Sequence, residues 1–102
     1  MIDGGVYGCT QGPRLETASE INRMERDGCD IVGMTAMPEA VLAMELGMAY
    51  ASICVVVNRA SGRSDTPLSL HRVREQLNAT MPQVEKLLRV TVQGLTVTTD
   101  QG

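Results

Sequence analysis

A chain of 102 residues has room for one small domain, and its net charge of −3 comes with no basic cluster. That balance, with two Tyr as the only aromatic residues, argues against nucleic-acid binding, which needs a positive stripe or stacking rings. At 43% hydrophobic and 21% charged, the composition is that of a globular protein rather than a disordered one.

In chain order, residues 6–10 (VYGCT) predict a short strand, followed by the turn QGPR at 11–14. Thr17 and Glu20 then have capping-box spacing, so their side chains can satisfy the first free amides of a helix. That helix is expected to run to about Asp27, with Gly28 as a left-handed stop. Residues 29–35 (CDIVGMT) predict a buried strand. Residues 38–46 (PEAVLAMEL) predict a second helix, with Pro38 in its first turn, Glu39 complementing the dipole and Gly47 after it. The β-branched run at 50–58 (YASICVVVN) is apolar on both faces and predicts a third strand. A polar loop follows (RASGRSD), and Thr66-Pro67 has the form of an N-cap with its first helical residue. Leu70, Val73, Leu77, Val84, Leu87 and Leu88 keep helical phase past Pro82, which predicts one kinked amphipathic helix or two in sequence. The tail at 96–102 (TVTTDQG) is expected to fray.

Strands separated by helices predict an α/β fold with a mostly parallel sheet flanked by helices. Three strands make a thin sheet with little chain to cover it, which suggests a piece of something larger. Cys9, Cys29 and Cys54 are odd in number and form no CxxC, so the expectation is three reduced, small buried hydrophobes in a cytoplasmic setting, with no zinc site. The start MIDGGVYG has neither the basic residues nor the apolar run of a signal peptide, and the apolar stretch at 49–57 is too short to span a bilayer.

Candidate chemistry collects at strand ends, where open α/β sheets gather ligands. The first strand leads to Leu15 and Glu16, the second to Met34 and Thr35, and the third to Asn58. Each position also has a plain structural explanation. Glu16 can serve a helix N-terminus, Thr35 a turn, and Asn58 the end of its strand. His71, the only histidine, has no evident acid or nucleophile partner and fits a helix end at the surface.

Residues 3–21 (DGGVYGCTQGPRLETASEI), residues 30–58 (DIVGMTAMPEAVLAMELGMAYASICVVVN) and the spacing between them resemble the C-terminal half of trimeric purine nucleoside phosphorylases. The branch they resemble most is the methylthioadenosine and methylthioinosine phosphorylases. The resemblance covers residues 2–93 and implies a three-layer phosphorylase/hydrolase-like fold, of which residues 1–102 would be the C-terminal part. It implies phosphorolysis of a purine nucleoside to free base and ribose 1-phosphate, with inorganic phosphate as co-substrate and no metal or organic cofactor. It also implies a homotrimer in the full-length protein, with neither nucleic acid nor membrane as a partner.

By resemblance, Leu15 packs against the purine, Glu16 reads it, Met34 lies beside the ribose and Thr35 helps to hold phosphate. Asn58 faces the purine N7 and the C6 substituent and is the expected catalytic residue. Leu70 falls where the 5′ substituent is contacted. The residue types argue for a 6-oxopurine. A carboxylate accepts from N1–H and an amide donates to O6, whereas a 6-aminopurine reverses both polarities. A site built on such bonds rejects the mismatched base, because buried polar groups are left unpaired. Aminopurine-preferring relatives carry Asp at the Asn58 position and a small hydroxyl residue at Glu16. Leu70 suits an apolar methylthio group. His71 beside it would favour a 5′-hydroxyl, and adjacent helical residues point about 100° apart, so only one of the pair can face a pocket.

The family's N-terminal half, which supplies most of its phosphate site, has no counterpart here, and of that site only Thr35 is present. The isolated chain is therefore expected to be inactive. A non-catalytic piece that binds purine or a partner subunit is the alternative, and methylthioadenosine or inosine/guanosine phosphorolysis stand as alternative activities.

Overall fold

The computed structural model describes residues 1–95. Its elements are β1 (Tyr7–Cys9), α1 (Ala18–Arg26), β2 (Ile31–Gly33), α2 (Glu39–Glu45) and α3 (Leu70–Gly94). The chain divides into two compact units, Met1–Leu68 and Ser69–Gly102.

In the first unit, β1 and β2 form a parallel pair in the register Tyr7↔Ile31, Gly8↔Val32 and Cys9↔Gly33. Parallel strands need a crossover between them, and α1 supplies it. The expected capping box opens that helix: Thr17 Oγ1 accepts from Glu20 N at 3.1 Å, and Glu20 Oε1 accepts from Thr17 N at 2.9 Å. At the other end, Gly28 N donates to Glu25 O and Cys29 N to Met24 O, each at 3.0 Å. That paired closure places Gly28 in the left-handed region, with φ of 93°. The chain is thereby aimed into β2.

Among the described residues, the buried apolar ones are Ile21, Met24 and Ala43; the cysteines, expected to be buried, are half-buried at Cys9 and Cys29 and exposed at Cys54, where the expected strand does not form. Ile21 and Met24 stand three residues apart on α1, the spacing that puts both on one face. The Met24 methyl and the Cys29 thiol fill the place where a side chain at position 8 would go. Gly8 thus lets the helix lie close on β1. Burying a side chain of the size of Ile21 or Met24 contributes on the order of 1.5–3 kcal/mol.

Helix α2 follows Pro38, which stands at the N-cap rather than at the first helical residue. It ends as α1 does, with Gly47 N donating to Met44 O at 3.1 Å and Met48 N to Ala43 O at 2.8 Å.

The expected third strand does not form. Residues 50–58 have no ladder partner among the described residues, and Val56 is 63% exposed. A run apolar on both faces suits a central strand covered on both sides; with one two-stranded sheet beside it, neither the hydrogen bonds nor the cover is supplied. The observed sheet is therefore smaller than the sequence suggests, though α/β and parallel.

In the second unit, α3 is a single 25-residue helix with Pro82 inside it. It starts later than Thr66-Pro67. Thr66 is engaged with Ser64 instead, its N–H donating to Ser64 Oγ at 3.2 Å with the two hydroxyls 3.0 Å apart. Ser69 takes the cap, accepting from Arg72 N at 3.4 Å. Val73, Leu77, Thr80, Val84 and Leu87 are half-buried, forming one stripe at alternating spacings of four and three. Leu70 and Leu88 stand at the border of that stripe and are exposed. The expected fraying of residues 96–102 falls outside the described residues. Among the described residues, no helix is long and apolar enough to cross a membrane.

Candidate functional site

The carboxyl ends of β1 and β2 lie side by side, and the chain leaves them through Thr10 on one strand and through Met34 and Thr35 on the other. Thr10 N continues the ladder by donating to Gly33 O at 2.8 Å. That bond fixes the Thr10 backbone, and its hydroxyl then donates to Glu16 Oε1 at 2.7 Å, with Gly33 O a more distant second acceptor at 3.3 Å. A hydroxyl has one proton, so the shorter, charge-assisted bond to the carboxylate takes it. No other hydrogen bond reaches Glu16 among the described residues, which leaves Oε2 available. Glu16 is half-buried, whereas its neighbour Leu15 is 56% exposed.

Arg14 is committed elsewhere. Its Nη1 donates to Glu20 Oε1 at 2.8 Å and its Nη2 to Glu20 Oε2 at 3.0 Å, a two-pronged pair, and Nη1 also reaches Leu15 O at 3.1 Å. The Arg14 guanidinium, followed by the Thr17 backbone N–H, pulls the Glu20 carboxyl down to about 2. The bond to Glu20 in turn raises Arg14. Arg14 thus braces the turn that carries Leu15 and Glu16, and its charge is paired with Glu20.

On the β2 side, the Met34 sulfur sits against Gly12, 3.1 Å from where a Cβ there would stand. Thr35 N donates to the Tyr7 hydroxyl at 3.3 Å, and the two side-chain oxygens are 3.4 Å apart. The Tyr7 ring crosses the space a side chain at Gly33 would occupy, so Gly33 is needed for that crossing. Glu16, Met34 and Thr35 therefore belong to one edge. Beside it, a cleft of ≈280 Å³ is lined by Thr10, Gln11, Arg14, Glu16 and Arg23 among others; Leu15, Met34, Thr35 and Asn58 are not in its wall.

Asn58 is exposed, and its Nδ2 donates to Arg59 O at 2.8 Å. The loop after it is tied to α1: Gly62 approaches Ala18 so closely that a Cβ there would stand 2.8 Å from the Ala18 Cβ, and Arg63 pairs with Glu25. Four residues of chain reach at most about 14 Å, which limits how far Asn58 can stand from the start of α1. Among the described residues, no hydrogen bond joins Asn58 to Glu16. Leu70 lies in the second unit, 69% exposed, and the neighbouring His71 pairs along its own helix with Glu75 at 2.8 Å.

Sequence reasoning missed the Thr10 hydroxyl, the Tyr7–Thr35 pair and the Arg14–Glu20 fork. The fork had a signal: a capping-box carboxylate turns back toward the preceding turn, where Arg14 waits. For Thr10 and Tyr7 there was none, since their partners are set by strand register.

A family model described as the phosphorylase superfamily matches residues 2–101. A probable S-methyl-5′-thioinosine phosphorylase of Pseudomonas syringae pv. tomato is 55% identical over 86 residues, which cover 84% of this chain and 35% of that protein. One of the same name from Xanthomonas campestris pv. campestris is 46% identical over 92% of this chain and 38% of its own length. A probable 6-oxopurine nucleoside phosphorylase of Moorella thermoacetica is 45% identical over 90% of this chain and 35% of its own length. The chain spans about a third of the length of these curated relatives.

Proposed function

The chain belongs to the phosphorylase superfamily, and on that premise we propose that it is the C-terminal part of a purine nucleoside phosphorylase that cleaves S-methyl-5′-thioinosine with inorganic phosphate. The products are hypoxanthine and 5-methylthioribose 1-phosphate. The observation that carries this reading is the half-buried Glu16 carboxylate at the carboxyl edge of β1 and β2, held through one oxygen and open at the other. An open acceptor suits the N1–H of a 6-oxopurine and meets only another acceptor on a 6-aminopurine. The names of the Pseudomonas and Moorella relatives, one for methylthioinosine and one for 6-oxopurines, support the same base.

In this reading Leu15 covers the purine face and Met34 the ribose. Thr35 offers phosphate a hydroxyl, and Leu70 meets the methylthio group. Asn58 turns from its bond to Arg59 O toward the purine, donating to O6 or N7 as negative charge builds on the leaving base. Phosphate attacks C1′, and its charge stabilises the oxocarbenium-like sugar. The protein's part is preorganised electrostatics rather than covalent catalysis, and no cofactor is required. Thr35 alone cannot hold a dianion, so residues outside 1–102 complete the phosphate site. The complete subunit is a cytoplasmic homotrimer acting in methylthio-nucleoside and purine salvage, and residues 1–102 alone have no turnover.

The test is phosphate-dependent release of hypoxanthine from S-methyl-5′-thioinosine by the complete subunit that carries this segment. Turnover there, with S-methyl-5′-thioadenosine and inosine used less well, is the expected result. Asn58→Asp should then move preference toward the 6-amino base, because a carboxylate accepts from N6–H and repels O6. An unchanged preference in that variant contradicts the assignment of Asn58.

A further inference from the structure

We propose that Thr10 is a positioning residue for Glu16, its hydroxyl holding one carboxylate oxygen so that the other faces the purine. The proposal rests on the reading of Glu16 given above. Three features carry it. The Thr10 backbone is pinned by its N–H bond to Gly33 O at 2.8 Å, so its side chain leaves the sheet edge in a set direction. Its hydroxyl is 2.7 Å from Glu16 Oε1 and 3.3 Å from Gly33 O, so the proton goes to the carboxylate. Arg14, the nearby cation that could turn Glu16 away, has both terminal nitrogens engaged with Glu20.

A glutamate carboxylate, carried on three side-chain torsions, would sample many orientations; one short bond to a strand-anchored hydroxyl selects among them. The selected orientation leaves Oε2 as the acceptor for a ring N–H. Thr10 touches no substrate in this scheme. It raises discrimination between 6-oxo and 6-amino bases by keeping the acceptor in place.

The experiment measures kcat/KM for S-methyl-5′-thioinosine and S-methyl-5′-thioadenosine in the complete subunit, comparing the parent with Thr10→Val, Thr10→Ser and Glu16→Gln. Thr10→Val keeps the shape and removes the donor. It is expected to lower kcat/KM for the 6-oxo substrate about tenfold or more and to narrow the 6-oxo to 6-amino ratio, while Thr10→Ser stays within about threefold of the parent. A Thr10→Val protein that keeps the parent ratio while Glu16→Gln loses it overturns the role of Thr10 and leaves Glu16 standing. A Glu16→Gln protein that keeps the ratio overturns both. Melting temperatures establish that each variant is folded. Should Thr10→Val fail that check, Thr10→Cys, near in size and a weak donor, is read in its place.

Discussion

Glu20 serves two partners through one carboxylate: it accepts from the Thr17 backbone to close the capping box and from both terminal nitrogens of Arg14. Its titration follows from those bonds. The folded value of about 2 lies below the ordinary value near 4.5, so the unfolded chain binds the proton more readily. The contribution of the pair is fully present above about 4.5 and is lost as pH falls from there toward about 2. Thermal melts of the parent and of Arg14→Gln across that range should show a shallower acid loss in the variant, and parallel curves would contradict the pairing. The capping box was legible from residues 17–20 because its chemistry is local. The bond from Thr10 to Glu16 was not, although the two are close in sequence, because it depends on β2 fixing Thr10.

Elements show the same division between local and nonlocal causes. Helices α1 and α2 end where Gly28 and Gly47 stop them, and both stops could be read from the chain because a positive φ favours glycine. The third strand was misread because β propensity describes a residue's fit to a sheet that other segments must provide. The start of α3 was misread because Ser64 competes for Thr66, and a hydroxyl turned back toward its own loop cannot cap a helix. Within α3, Pro82 can donate no backbone hydrogen bond and crowds the preceding turn. Replacing Pro82 with Ala should raise helicity at 222 nm and stabilise the helix by up to about 3 kcal/mol. A loss of ellipticity would contradict a purely local cost of Pro82 to the helix.

At the scale of the whole molecule, Leu42, Met44, Leu46, Met48, Tyr50, Ile53 and Val56 are all exposed within a short span of the first unit. Two strands and two short helices bury Ile21, Met24 and Ala43, a small core for the chain it must order. Residues 1–102 in isolation should therefore self-associate, with an apparent size that grows with concentration in sedimentation. A monodisperse monomer with a sharp melt would contradict this. The fold class and the strand ends that carry Glu16, Met34 and Thr35 were readable because hydrophobic periodicity and turn chemistry place them. The exposure of Asn58 and of Leu70 was not, since the strand expected to end at Asn58 finds no ladder partner and Leu70 stands at the first turn of its helix.

The most direct test is a crystal structure of the complete subunit with hypoxanthine and phosphate. The expected result has one Glu16 oxygen within about 3.2 Å of purine N1, the other on the Thr10 hydroxyl, and the Asn58 amide at hydrogen-bonding distance from O6 or N7. A base bound with Glu16 in solvent, or with Glu16 and Asn58 on opposite faces of the subunit, would contradict the proposed base recognition and leave membership of the superfamily as the surviving conclusion.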